Sequence, residues 1–165
     1  AARQAPPPSA SDAPSPGIPG PRILAPRIEV ELVDRFVAAF NARDLDGLAA
    51  LLEEQAEASV VGCVQEDGRQ QIRDGSLHHT MFDEEGDPLA TRVELWGETL
   101  IVLRYSLQGE RRLGDVLRLE QGEGGVRRLR YYYFCPQLLS EAAHDLNESA
   151  PPALNGYRYP SRETS

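Results

Sequence analysis

Asp115 is the residue whose type and placement most invite chemistry. In RRLGDVLRLE, residues 111–120, it alternates with Leu113, Leu117 and Leu119, and residues two apart on a strand share a face. If those leucines face a core, the carboxyl faces it too. Burial disfavours the ionised form and raises the pKa, which suits a general base or a ligand anchor. The structural alternative is that a tyrosine or arginine inside the core satisfies the carboxylate, and both readings stay open.

The second candidates lie in RYYYFCP, Arg130 to Pro136. An aromatic run favours a strand, and proline cannot donate to the ladder, so the strand is expected to end at Cys135 with Pro136 opening a helix. Alternation places Leu129, Tyr131, Tyr133 and Cys135 on one face, and Arg128, Arg130, Tyr132 and Phe134 on an outer one. The hydroxyls of Tyr131 and Tyr133 could bond a ligand carbonyl or Asp115, since a buried tyrosine usually finds a partner, but core packing is the favoured role.

In LHHTMFDEE, His79 and Asp83 are four apart and could share one side of a helix. Two ligands do not make a metal site, no third has an obvious spacing, and His79 falls in line with Ile72 and Ser76. His79 therefore reads as a pocket-facing histidine and His78 as exposed. No metal and no cofactor is assigned. Cys63 and Cys135 are too far apart for a CxxC motif and read as small buried residues.

These candidates need elements to hold them. Leu32, Val33, Phe36, Val37 and Phe40 recur at helical spacing between Arg27 and Ala42. Asp44 can cap a short second helix that carries Leu45, Leu48, Leu51 and Leu52 inward. EASVVGCVQE is strand-like, and GRQQIRDGSLHHTMF is helical with Gly75 as a weak point. After DEEGDP come four strand-like runs, ATRVELW, TLIVLRYSL, RRLGDVLRLE and VRRLRYYYFC, separated by short glycine-bearing hairpin signals. CPQLLSEAAHDL closes the domain as a helix. The order predicts an α+β fold, a curved and mostly antiparallel sheet with helices on one face.

Composition bounds the function. A chain of 165 residues with 41% hydrophobic content supports one domain with a real core. Residues 1–26 are rich in proline and alanine and read as a flexible linker, residues 27–147 as the domain, and residues 148–165 as a tail. A linker of this kind implies a preceding domain. The net charge of −9 argues against direct nucleic-acid binding. The local basic patch of Arg127, Arg128 and Arg130 reads as a solvated or protein-contact face. No apolar run is long enough for a membrane span, and two cysteines without an apolar signal segment fit a cytoplasmic location.

VDRFVAAFNARDLDGLAALL resembles the opening of SnoaL-like domains of the nuclear-transport-factor-two-like superfamily, and the resemblance covers roughly residues 29–146. It implies a cone of curved sheet with the N-terminal helices packed on its concave face. DGSLHHT, RLRYYYFCP and NGYRYP together resemble the C-terminal extension of certain bacterial extracytoplasmic-function sigma factors. That resemblance implies a regulatory domain in transcription initiation, whose partners are upstream sigma regions and, through them, RNA polymerase and promoter DNA. Asn155, Gly156, Tyr157, Arg158 and Tyr159 match the tail motif of those proteins and are expected to dock. The related cyclases and isomerases use a carboxylate inside the cone, so the alternative is a small-molecule-binding domain or an isomerase- or cyclase-like enzyme with a pocket formed by Asp115, Tyr131, Tyr133 and His79. Of the two, the non-catalytic reading is preferred, and Asp115 is the one catalytic candidate. Open sheet faces of this kind could also pair two copies.

Overall fold

This computed structural model describes residues 27–149. The linker, residues 1–26, and the docking motif from Asn155 to Tyr159 lie outside the described residues.

Helix α1 (Val30–Asn41) buries Leu32, Val33, Phe36 and Phe40 on one stripe, the apolar face that its periodicity predicts. Helix α2 (Leu45–Ala49) is capped by the Asp44 carboxylate, which accepts the Gly47 N–H at 2.9 Å. Strand β1 (Leu52–Val60) and strand β2 (Val64–Asp67) form an antiparallel hairpin. EASVVGCVQE is thus two strands around a turn rather than one strand. The turn is made at Gly62, whose φ of +83° suits a residue without a Cβ. Cys63, expected to be buried, is exposed in this turn.

Helix α3 (Arg69–Ile72) passes into two wide π-helical turns, Arg73–Leu77 and His79–Asp83. The helical expectation holds with a distortion at Gly75, which leaves helical geometry at φ −98° and ψ −106°. Strands β3 (Leu89–Leu95), β4 (Glu98–Leu107), β5 (Glu110–Gly122) and β6 (Gly125–Tyr131) then form the expected meander. Helix α4 (Pro136–Asp145) has Pro136 at its first position, as predicted. Strand β6 stops at Tyr131, four residues earlier than expected, because the chain turns at residues 132–135 to enter α4.

The six strands run in the order β2-β1-β6-β5-β4-β3. All neighbours are antiparallel except β1 and β6, which are parallel. The concave face holds the larger core, in which α1 and α2 meet Ile101, Leu103, Leu117, Leu129 and Tyr131. Asn41 fastens the end of α1 to edge strand β3, donating to the Ala90 carbonyl at 3.0 Å and accepting the Ala90 N–H at 2.7 Å. A second, smaller core lies on the convex face, where α4 covers Val102, Val116 and Tyr132 with Leu139 and Ala142. Helices therefore cover both faces, and Tyr132, expected on an outer surface, is 9% exposed beneath α4. Its hydroxyl accepts a hydrogen bond from Arg118 at 2.9 Å.

Candidate functional site

Two sheet strands aim the central residues inward. On β4, Ile101, Leu103 and Tyr105 alternate into the concave core. Opposite them, Leu103 pairs with Asp115, but the next residue, Arg104, pairs with Leu113, so Gly114 is an extra residue on β5. This bulge corrects one expectation. Leu113 is turned to the convex core, while Asp115 stays with Leu117 and Leu119 on the concave side. A side chain at position 114 would strike the Tyr105 ring, its Cβ falling 2.5 Å from a ring carbon, so glycine is required there.

Asp115 is 2% exposed. One carboxylate oxygen accepts the Tyr132 N–H at 2.9 Å, and the Val116 N–H also donates to the carboxylate. Neither a tyrosine hydroxyl nor an arginine satisfies it; the backbone of its own bulge and of the β6–α4 turn does. Burial drives its pKa well above the ordinary carboxylate range, the nearby Glu84 charge adds to the rise, and the two backbone donors oppose it.

Glu84 is the residue that the sequence did not flag. It follows the last π turn, its side chain is 11% exposed, and it accepts the Tyr105 hydroxyl at 2.5 Å. Burial pushes Glu84 up to about 7, against the lowering effect of that hydrogen bond. Tyr105, 6% exposed, is raised well above the usual phenol range, first by burial and then by Glu84 and Asp115. The Tyr105 ring meets Tyr133 edge-on at 6.3 Å, and Tyr133 meets Phe134 at 5.1 Å. Tyr133, half-buried beyond the end of β6, packs against the concave core as expected.

Tyr131, 2% exposed, stands on the same face at the end of β6. Its hydroxyl faces Ser76 on the first π turn without closing a well-formed hydrogen bond, and Tyr131 Oη, Ser76 Oγ and His79 Nε2 are all buried without a partner. Burial lifts the Tyr131 pKa well above its ordinary value, the Ser76 hydroxyl opposes the rise, and the charges of Glu66, Asp115 and Glu84 add to it. His79 places Nδ1 3.8 Å from Asp83 and Nε2 3.9 Å from Glu84. His78 is exposed, as expected, and its ring meets that of the exposed Phe82 in a tilted contact at 5.1 Å.

Glu66 explains the π turn. It is 6% exposed at the end of β2 and accepts the Ser76 N–H at 2.9 Å. A Cβ on Gly75 would fall 1.8 Å from that carboxylate, so the glycine lets Glu66 reach the helix backbone and open the turn. Of the four pocket candidates, Asp115, Tyr131 and Tyr133 lie on the concave side of the sheet, and His79 stands on the helical segment with Nε2 beside Glu84. No cluster of three or more metal-ligating side chains occurs among the described residues. The arginines of RRLRY are paired on the convex face, Arg127 with Glu53, Arg128 with Glu57 and Glu120, and Arg130 with Glu120. No helix among the described residues is long and apolar enough to cross a membrane.

No family model and no curated protein matches the chain. Solved structures do resemble it. The protein Rd1NTF2_04 with long sheet is 17% identical, over 62% of this chain and 97% of its own, with a TM-score of 0.51. An LEH-like epoxide hydrolase of M. tuberculosis is 15% identical, over 72% and 96%, with a TM-score of 0.49. An NTF-2 like protein of unknown function from Burkholderia xenovorans is 19% identical, over 62% and 79%, with a TM-score of 0.48. The α+β cone fold of the nuclear-transport-factor-two-like proteins is the fold of this chain.

Proposed function

We propose that this domain is a regulatory appendage of a bacterial sigma factor, and that the interior of its cone serves as a small-molecule sensing site rather than a catalytic one. One observation carries the sensing role: Tyr131 Oη, Ser76 Oγ and His79 Nε2 are buried in one interior without partners. An unmet buried polar atom costs free energy, and a ligand that meets several at once recovers it. The commitment of Asp115 to two backbone N–H groups speaks against its acting as a free base. The sigma-factor role rests on the resemblance of DGSLHHT, RLRYYYFCP and NGYRYP. In this reading the domain, and Tyr157 and Tyr159 beside Arg158, contact upstream sigma regions and modulate their engagement with RNA polymerase. Tyrosine and arginine are favoured anchors of such contacts.

The test is transcription in vitro from the full-length protein with purified core polymerase, with and without Asn155–Ser165, alongside a thermal melt of each form. A changed transcript level at equal stability supports the role; equal transcript at equal stability ends it. A preceding coding sequence without a helix-turn-helix region would also remove it.

A second reading has its own observation. Glu84 sits with a pKa of about 7 at the edge of the interior, where a general base works best at neutral pH. In that reading the domain is an isomerase- or cyclase-like enzyme with Glu84, not Asp115, as its base. Turnover that survives Asp115→Asn and vanishes in Glu84→Gln would establish it.

A further inference from the structure

The interior is acidic, and no arginine among the described residues pairs with Asp115 or Glu84. Arg43 and Arg111 pair with Asp87, Arg73 with Asp46 and Asp74, Arg92 with Asp34 and Glu94, Arg104 with Glu148, and Arg118 with Glu98. Together with the convex-face pairs, these ion pairs leave none between an arginine of the described residues and Asp115 or Glu84. The nearest titratable base is His79, whose Nε2 lies 3.9 Å from Glu84. A carboxyl held in such surroundings takes up a proton in the free protein, and a bound cation is the alternative way to neutralise it.

The unmet atoms near Glu84 can all accept a hydrogen bond. His79 places Nδ1 3.8 Å from Asp83 and Nε2 3.9 Å from Glu84, and the tautomer that carries its proton on Nδ1 leaves Nε2 as an acceptor. The hydroxyl oxygens of Tyr131 and Ser76 carry lone pairs as well. The rings of Tyr105, Tyr131 and Tyr133 belong to the same core, and aromatic faces attract cations once water is excluded. A carboxylate, several neutral acceptors and tyrosine faces together favour one ligand class, a compact cation rich in N–H donors.

We infer that the space bounded by Glu84, His79, Ser76 and Tyr131 takes a small primary amine in its ammonium form, with Glu84 as its counter-ion. The inference rests on the sensing site proposed above and names its ligand class. The ammonium donates to the Glu84 carboxylate and to the orphaned acceptors, while the tyrosine rings cover its apolar stem. Because the free Glu84 carboxyl is largely protonated at mildly acidic pH, binding ionises it and releases its proton to solvent.

Isothermal titration of the purified chain with benzylamine, benzyl alcohol and benzoate at about pH 6.5 tests this, using buffers of different ionisation enthalpy. The expected result is benzylamine binding at least about tenfold tighter than benzyl alcohol, no benzoate binding, and release of a proton on binding. Glu84→Gln, which keeps an acceptor for Tyr105, should abolish both the preference and the proton release, and Tyr131→Phe should weaken benzylamine binding in a domain that still folds. Benzyl alcohol binding as tightly as benzylamine, with the same sensitivity to Tyr131→Phe, overturns the cation class and leaves the interior a ligand site. No binding of any of the three at about 10 mM overturns the cation class and takes away the support for the sensing site.

Discussion

Glu84→Gln should make the domain more stable at neutral pH and change little in acid. An acid whose pKa is raised in the folded state binds its proton more tightly there than in the unfolded chain. Between the unfolded value, 4.5, and the folded value, about 7, the unfolded chain is ionised while the folded one is not, so stability falls as pH rises through that window. A tenfold difference in proton affinity between the two states is worth about 1.4 kcal/mol, which makes the full penalty at about pH 8 on the order of 3 kcal/mol. The glutamine cannot ionise, keeps an acceptor for the Tyr105 hydroxyl and escapes the penalty. In a chain of this length that corresponds to a rise of roughly 5–10 °C in Tm at about pH 8, with near coincidence of the two proteins at about pH 4. Asp115, also raised, gives both proteins a further decline with pH, so the quantity to read is the difference between them. Guanidinium unfolding of parent and variant at intervals from about pH 4 to about pH 8 supplies it. A difference that stays constant over that range refutes the placement of Glu84 as an uncompensated buried acid.

Three further outcomes follow from the same geometry. Asp115→Ala strips the Val116 and Tyr132 N–H groups of their carboxylate and should cost about 2–4 kcal/mol in guanidinium melts, whereas Asp115→Asn, which keeps an acceptor oxygen, should cost less than about half of that. Gly75→Ala drives a methyl into the Glu66 carboxylate and should destabilise by about 1–3 kcal/mol, and most of that cost should disappear in a Glu66→Ala background, a coupling that a double-mutant cycle measures. Tyr131→Phe removes a hydroxyl that has no partner, so the unliganded domain should keep its stability within about 1 kcal/mol, as thermal melts would show.

What the sequence made legible and what it hid divide along physical lines. The stripe of α1 was readable because helical spacing is local, and the hairpin turns because Gly97 and Gly109 take the positive φ that favours glycine. Asp115 was placed on the correct face, yet one of the three leucines used to place it points the other way. A bulge shifts the alternation on one side of itself only, and Gly114 turned Leu113 while leaving Leu117 and Leu119 in phase with the acid. Tyr105 obeys the same alternation as Ile101 and Leu103 and could have been found by it. Glu84 could not, because it stands in DEEGDP, where no periodicity acts, and it meets Tyr105 only through tertiary closure.

Gly75 shows the same limit from inside a helix. Propensity marks it as a weak helix former, which is true and insufficient. Its role depends on Glu66, on a strand well before it in the chain, whose carboxylate occupies the space a side chain would fill and takes the Ser76 N–H out of the helix ladder. Regular helical spacing already put Ser76 and His79 in line with Ile72. The π turn adds the consequence that matters for chemistry: with backbone and glutamate fixed to each other, the Ser76 hydroxyl and His79 Nε2 are held buried beside Tyr131 with no partner from the protein. Such an arrangement is costly to keep in a protein core. A domain that needed only to fold could have filled these positions with apolar side chains, so a bound donor is the simplest reason for keeping three acceptors there.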